Sequence, residues 1–379
     1  MEKIGLITLH KDNFGSILQC YATKYAIEEL GYKCDVLYEI DNNKFGKIAK
    51  KIVGFLKLIG GYLFDQEYVI SRKKIKSTPQ SLSDCTRRKM DEFVEEVLYP
   101  RGYTFRELCR IEKEYIAFVV GSDQVWNAFN TIPRAYFLKF TANSKKIAFA
   151  ASFGTDKPDK TFKKKIRDGL SGFDDISVRE ESGVDIVKEI SSDIPVVRIA
   201  DPTIMLDANY WRVFCQNEKV GQNYVLVHFL NNPNDIAVDK IEQIRKEYGL
   251  EVVCIGYKYD LFSKYPWGFF DCSPREYVAY INGASYICTD SFHTALFSIN
   301  LGKEFYVFDR QYLHSHPQTS RISELLVRYN LNDRFINDNE KEKTISVVTN
   351  ESLIFQEREL TRSYLINTIN DKIPLEIKI

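Results

Sequence analysis

The sequence holds 379 residues, which at roughly 150 residues per domain implies two to three domains and a large buried core. Apolar residues make up 44% and charged residues 27%, which excludes global disorder and low-complexity character. Lys plus Arg and Asp plus Glu balance at 52 each, so no overall basic field draws nucleic acid.

In chain order, Ile4–Leu9 reads as a buried strand, 11–16 as a loop, Ile17–Leu30 as a helix stopped by Gly31, and Cys34–Tyr38 as the next strand. A parallel strand pair joined by a helix implies an α/β layer. Its loop lacks G-x-G-x-x-G, so no dinucleotide is inferred. Residues 44–76 are rich in lysine. At 100° per residue, Phe45, Ile48, Ile52, Phe55, Leu56, Ile59 and Leu63 share one side, and Lys47, Lys50, Lys51 and Lys57 the other. This basic amphipathic helix suits packing on protein as well as an anionic membrane surface.

Tyr115–Val120 reads as a strand running into Gly121-Ser122-Asp123-Gln124, and Lys146–Ala150 as another before Ser152-Phe153-Gly154. A polar helix is expected over Asp159–Leu170. Strand Asp175–Val178 delivers Arg179 and Glu180, and strand Pro195–Ile199 ends at Asp201-Pro202-Thr203. Residues Asp207–Asn223 show little periodicity and mark a domain boundary. The expected domains are thus 1–206, with the basic insert 44–76, and 207–379.

The second series opens with strand Tyr224–Phe229, helix Ile236–Tyr248 and strand Val252–Ile255. Ser273-Pro274-Arg275-Glu276 carries a capping box with Pro at the first helical position. Strand Ser285–Cys288 leads through Asp290-Ser291-Phe292-His293 into a helix ending at Leu301 and Gly302. Strand Glu304–Phe308 follows, and Ser320-Arg321 opens a further helix. The fold class read from this pattern is α/β, with two Rossmann-like α/β domains facing a cleft. Ligands of such sheets bind beyond the strand C-termini.

The eight cysteines form no C-x-x-C pair and several sit in apolar runs, which suits reduced thiols and a cytoplasmic setting. The N-terminal apolar run is too short for a signal-peptide core, and no stretch approaches the ~20 apolar residues of a membrane span. The His314-Ser315-His316 pair has no third ligand nearby, so no metal is expected.

Candidate chemistry concentrates after the strands. His293 falls in a first helical turn, where free N–H groups and the dipole favour an anion such as phosphate. A capping Ser291 beside a partly buried His is the structural alternative. Arg321 is a second cation at a helix start. Arg179 can hold phosphate or carboxylate as a fork, or can serve a structural ion pair with neighbouring acids. Gly121-Ser122-Asp123-Gln124 suits a hydroxyl-binding loop, or an Asx-type turn over Trp126. His228 reads as core, while His10 ends the first strand and can face the cleft.

Together these segments resemble one family. Asn13-Phe14-Gly15-Ser16-Ile17-Leu18-Gln19-Cys20-Tyr21-Ala22 is similar to an N-Y-G-A-x-L-Q-x-Y-A opening. VGSDQVWN at 120–127, AASFG at 150–154, ISVRE at 176–180, Asp201-Pro202-Thr203, Asp290–His293 and Ser320-Arg321-Ile322 follow in order. This resembles the polysaccharide pyruvyl transferases, with Phe14 for Tyr, Ser16 for Ala and Thr294 where Gly often stands. The resemblance implies a GT-B-like fold. It implies phosphoenolpyruvate as donor, without cofactor or metal, and a sugar acceptor carrying two reacting hydroxyls in a surface polysaccharide or its precursor, such as a lipid-linked oligosaccharide. Under it, His293 and Asp123 are the expected acid and base. Arg179, Arg321, Ser291, Asn13, Gly15, Ser122 and Asp290 are the expected binding residues. Nucleic acid is not an expected partner, and the lysine face of 44–64 would give a peripheral contact with the inner membrane leaflet. A nucleotide-sugar glycosyltransferase of the same architecture and a non-catalytic carbohydrate-binding protein are the alternative readings.

Overall fold

A computed structural model describes residues 1–40, 82–127, 132–156, 158, 160–190, 193–258, 260–310, 319–337 and 351–370. The basic segment 44–76 and the His314/His316 pair lie outside the described residues.

The first sheet takes seven strands, all parallel: β1 (Lys3–Ile7), β2 (Lys33–Glu39), β3 (Arg101–Tyr103), β4 (Ala117–Val120), β5 (Lys145–Ala151), β6 (Asp175–Val178) and β7 (Val197–Arg198). Their spatial order is 3-2-1-4-5-6-7. The order reverses between β1 and β4, which opens a crevice beyond their C-terminal ends. The second sheet, β8 (Tyr224–His228), β9 (Glu251–Ile255), β10 (Gly268–Phe270), β11 (Tyr286–Thr289), β12 (Glu304–Phe308) and β13 (Phe335–Ile336), is also parallel. Its order of 10-9-8-11-12-13 places the reversal between β8 and β11. Central strands such as AFVV at 117–120 and YVLVH at 224–228 are buried along their whole length, as parallel strands covered on both faces must be. The two sheets agree with the expectation of two Rossmann-like domains.

The helices of the first part are α1 (Phe14–Glu29), α2 (Asp84–Phe93), α3 (Phe105–Ile111), α4 (Lys160–Leu170) and α5 (Glu181–Ile190). Those after it are α6 (Ala208–Phe214), α7 (Asp235–Tyr248), α8 (Pro274–Gly283), α9 (Phe292–Leu301), α10 (Thr319–Arg328) and α11 (Glu351–Ile369). Three differences from the sequence reading matter. Helix α1 starts three residues before the expected Ile17, because Asn13 Oδ1 accepts from the Gly15 and Ser16 N–H groups and converts part of the expected loop into a first helical turn. The aperiodic stretch 207–223 contains α6, capped by Asp207 and anchored by buried Trp211. Helix α11, the last helix among the described residues, packs on the first sheet although it follows the second in sequence. Thr361 Oγ1 accepts from Ala200 N at 3.0 Å, Tyr364 donates to Ala148 O at 3.2 Å, and Glu357 holds Arg198 through two bonds of 2.8 and 2.9 Å.

One apolar cluster runs through both sheets' inner helices, from Ile17 and Leu18 of α1 to Ala295 and Leu296 of α9. Phe14 stacks on Tyr277 of α8 at 4.5 Å, and Lys89 of α2 pairs with Glu276 at 2.8 Å. The C-terminal edges of the two sheets are therefore held face to face, with α1 and α9 meeting between them.

Candidate active site

Each site residue stands where a strand ends. Helix α9 begins at the Ser291 cap, whose hydroxyl accepts from Thr294 N, and His293 follows in the first turn. Gly302 ends α9 at φ +66, a left-handed conformation that glycine takes without Cβ strain. From the facing domain comes the first turn of α1. Gly15 lies under the His293 ring so closely that a Cβ there would fall 2.0 Å from Nδ1. The absence of a side chain at Gly15 is what lets the two helices meet.

The loop after β4 supplies Ser122 and Asp123. Asp123 has φ +60, a left-handed conformation uncommon outside glycine that aspartate tolerates better than most residues. Backbone bonds strap this loop to the irregular end of β5: Ser152 N donates to Asp123 O at 2.9 Å, and Trp126 N to Ser152 O at 3.2 Å. Trp126 is fully buried beneath it. β6 delivers Arg179 and Glu180, and the turn after β7 delivers Asp201.

These groups form one buried cluster. Arg179 donates from NH1 to Asp201 Oδ2 at 2.7 Å and from Nε to Glu180 Oε1 at 3.0 Å, and its NH2 lies 3.7 Å from Asp123 Oδ1. Asp201 Oδ2 also accepts from Ser122 Oγ at 3.2 Å and faces His293 Nε2 at 3.4 Å, outside hydrogen-bond geometry. Its Oδ1 accepts from Thr203 N and Oγ1, which fixes the carboxylate plane. Ser16 donates to Asp123 Oδ2 at 2.6 Å. Phe292 lays its ring over the Arg179 guanidinium at 4.1 Å. Arg321 stands across from Arg179. The Gln124 amide, with its oxygen toward the guanidinium, accepts from both terminal nitrogens of Arg321 at 2.8 and 3.0 Å.

Burial alone would raise the Asp201 carboxyl, but His293 and Arg179 outweigh it and hold it far below the ordinary carboxylate range. Asp123 is depressed in the same way, by His293, Arg179, the Ser16 hydroxyl and Arg321 against its burial. Both are therefore bases that stay ionised. Arg179 is held firmly charged by Glu180, Asp201 and Asp123 despite its burial. Arg321 is pushed down to about 10, by burial first and then by Arg179. It remains a cation at neutral pH whose charge a bound anion would stabilise.

Arg179 NH2 and His293 Nε2 are buried donors that make no hydrogen bond among the described residues. A buried donor without an acceptor costs about 1–3 kcal/mol, so such groups mark sites completed by a ligand. A cavity of ≈ 620 Å³ opens beside them, lined by Arg179, Asp201, Phe292, Arg321, Tyr329 and Glu357 among others. His293 does not itself line this cavity; it stands 3.4 Å behind Asp201, which does.

The structure thus brings His293, Asp123, Arg179, Arg321 and Ser122 together, with Gly15 against the His293 ring. Asn13 and Ser291 act as helix caps at the edge of this cluster. The Asp290 carboxylate points away from it. It accepts from Leu230 N at 2.6 Å and from Arg310 Nε at 3.0 Å, tying the ends of β8 and β11 together. The structural ion pair weighed for Arg179 with Glu180, Glu181 or Asp175 is realised with Glu180, and Asp201 joins it. Asp175 pairs instead with Lys145, and Glu181 with Arg198 and Arg328. Sequence reasoning left Asp201, Ser16 and Phe292 without roles. A strand-end Asp followed by Pro was the available signal for Asp201.

Among solved structures the chain is similar to the UDP-N-acetylglucosamine 2-epimerase of Rickettsia bellii. Identity is 11%, 98% of this chain and 96% of that chain are covered, and the TM-score is 0.54. It is also similar to the UDP-GlcNAc 2-epimerase of Methanocaldococcus jannaschii, at 13% identity, 100% and 94% coverage and TM-score 0.48. A third is the Arabidopsis thaliana UGT89C1 complexed with quercetin, at 10% identity, 97% and 91% coverage and TM-score 0.45. At such identities the likeness concerns the fold, which is GT-B-like. No curated protein matches the sequence. The family described as polysaccharide pyruvyl transferase matches over residues 13–312, a span that takes in every cluster residue except Arg321, and to that family the chain belongs.

Proposed function

We propose that this chain moves the carboxyethylidene group of phosphoenolpyruvate onto two hydroxyls of one sugar in a surface polysaccharide or its precursor, forming a pyruvate ketal and releasing phosphate. The observation that carries this reading is the pair of buried, unsatisfied donors, Arg179 NH2 and His293 Nε2, set opposite Arg321. A small ligand with a phosphate and a carboxylate supplies the acceptors that these groups lack. The reaction as proposed draws on no cofactor, because the enol phosphate of the donor is activated by a proton.

In this mechanism Arg179 and Arg321 hold the donor's anionic groups. His293 gives a proton to the methylene carbon, which becomes the methyl group and leaves an oxocarbenium-like centre. The first sugar hydroxyl adds there and yields its proton to Asp123, whose lowered pKa keeps it ionised at neutral pH. Phosphate then leaves as hydrogen phosphate, taking the proton that Asp123 received. The second hydroxyl closes the ketal and returns a proton to His293. Asp201 positions His293 and Arg179 and touches neither reactant.

The test is a thermal shift followed by a phosphate-release assay. Phosphoenolpyruvate at about a hundred times its dissociation constant should stabilise the protein by about 2.7 kcal/mol. His293→Ala should lower turnover roughly 10²–10⁴-fold. Stabilisation by a nucleotide sugar instead, with no response to phosphoenolpyruvate, would replace this reading by that of a glycosyltransferase. A response to glycan alone would leave a binding protein.

A further inference from the structure

The first domain carries a second concavity at the C-terminal edge of its sheet. A cavity of ≈ 460 Å³ is lined by His10, Lys11, Tyr38, Asp91, Glu95 and Tyr99, among others. Tyr38 is the next-to-last residue of β2, and its ring stands 5.3 Å from the His10 ring and 5.6 Å from Lys11 Nζ. Tyr99 is 70% exposed. It follows one π-helical turn, Val94–Leu98, and its left-handed backbone, φ 52, is fixed by a bond from its N–H to Val94 O at 2.9 Å. A large aromatic residue on left-handed backbone is uncommon, and π-helical turns recur at functional sites. Asp91 and Glu95 add carboxylates to the same wall.

Two tyrosine faces, two carboxylates and a cation around one cleft suit a sugar ring. Aromatic faces take its C–H surface, carboxylates accept from its hydroxyls and Lys11 donates to them. The cleft is also coupled to the reacting centre. His10 Nδ1 is bonded to Thr8 O at 3.0 Å, Thr8 Oγ1 donates to Ser122 O at 3.0 Å, and Asp123 is the next residue. Tyr38 lies near the end of β2 and Asp123 in the loop after β4, the two strands that flank β1, whose axes are about two strand spacings of about 4.8 Å apart.

We propose that this cleft holds the sugar adjoining the one that receives the ketal, so that the acceptor is an oligosaccharide chain and not a free monosaccharide. The proposal rests on the pyruvyl-transfer reading for the identity of the neighbouring site. Tyr99 is the stacking face and Tyr38, buttressed by His10, the opposite wall.

Two measurements test it. The first compares KM for p-nitrophenyl glycosides that share a terminal sugar, such as the β-galactoside with the β-lactoside, across terminal galactose, glucose and mannose. The disaccharide of the accepted pair should have roughly a tenfold lower KM, equivalent to about 1.4 kcal/mol. That preference should collapse toward unity in Tyr99→Asn, which tolerates the left-handed backbone, and in Tyr38→Ala. Equal KM values in the parent, or a preference that survives both substitutions, overturn the proposal. The second is saturation-transfer NMR of lactose, cellobiose and mannobiose on the full-length protein without donor. The proposal requires saturation of at least one disaccharide, weakened by Tyr99→Asn; saturation of none overturns it. Saturation with no phosphate release from phosphoenolpyruvate for any glycoside pair would sink the transfer reading and keep the cleft. Release without disaccharide contact would do the reverse.

Discussion

A methyl group added at Gly15 sets two physical effects against each other. Gly15 is the second residue of α1, and its φ is not in the left-handed region, so alanine fits the backbone. Helix propensity favours alanine over glycine by up to about 1 kcal/mol. Against this, the new Cβ would stand 2.0 Å from His293 Nδ1 and 2.2 Å from Cγ. Ordinary carbon contacts are about 3.5–4.0 Å, so the imidazole must retreat by roughly 1.5 Å. Helix α9 cannot follow freely, because each of its residues from Phe292 to Leu301 is buried. Overpacking of this kind costs about 1–3 kcal/mol, so the net stability change is small, from about zero to a loss of about 2 kcal/mol. The catalytic effect is larger, since a displacement of about 1 Å can cost about 10²-fold in rate. Gly15→Ala should therefore melt close to the parent while kcat for phosphate release falls about 10²-fold. Gly221→Ala is the control, because its Cβ would meet only the Tyr224 ring at 3.9 Å. An unchanged kcat in Gly15→Ala would refute the assignment of His293 to proton transfer from this position.

Three further outcomes follow from the buried charges. Arg179→Ala should lose about 3–5 kcal/mol of stability as well as donor affinity, because it strands Asp123, Asp201 and Glu180 in the interior; a melting curve like the parent's would contradict the cluster. His228 is pushed down to about 3, by burial and then by Arg310, so below its ordinary value of about 6.5 the unfolded chain binds the proton and the folded chain does not. Stability should fall as pH drops from about 6.5, by up to about 1.4 kcal/mol per unit, and His228→Asn should flatten that slope in melting experiments; parallel slopes would exclude it. Glu357→Ala should cost about 3 kcal/mol by releasing Arg198 and Arg328 from α11, read as a lower midpoint in urea, and no shift there would show α11 to be held by its apolar face alone.

Much of the scaffold is legible in the sequence because it is local. β6 and β12 match their expected limits residue for residue, since runs such as DISV and EFYVF are bounded by polar turns. The Ser273 capping box and the Gly302 stop are written in consecutive residues and stand as read. α6 was hidden because only Trp211 and Phe214 of its seven residues are buried, too few to set a period. α11 was hidden because its anchors, Glu357, Thr361 and Tyr364, are polar and find their partners in the first domain. The site divides in the same way. His293 and Arg179 are announced by their places after strands. The link of Asp201 to Arg179 and Ser122 depends on chain segments 22 and 79 residues apart, which no local pattern encodes.

The cluster's charge explains why it is built from both domains. Asp123, Asp201 and Glu180 face Arg179 and Arg321, so carboxylates outnumber guanidiniums before His293 is counted. A strand-end crevice of the first domain alone would hold Asp123, Asp201, Glu180 and Arg179, an excess of negative charge that repels an anionic donor. Helix α9 brings His293 and α10 brings Arg321, whose guanidinium halves that excess beside the cavity. In the transfer proposed above, proton and phosphate would be coupled by position: the His293 imidazole stands 3.4 Å from the carboxylate that also anchors Arg179. Separating the domains would undo both at once, since Gly15 meets His293 and Phe292 covers Arg179 across the boundary between them.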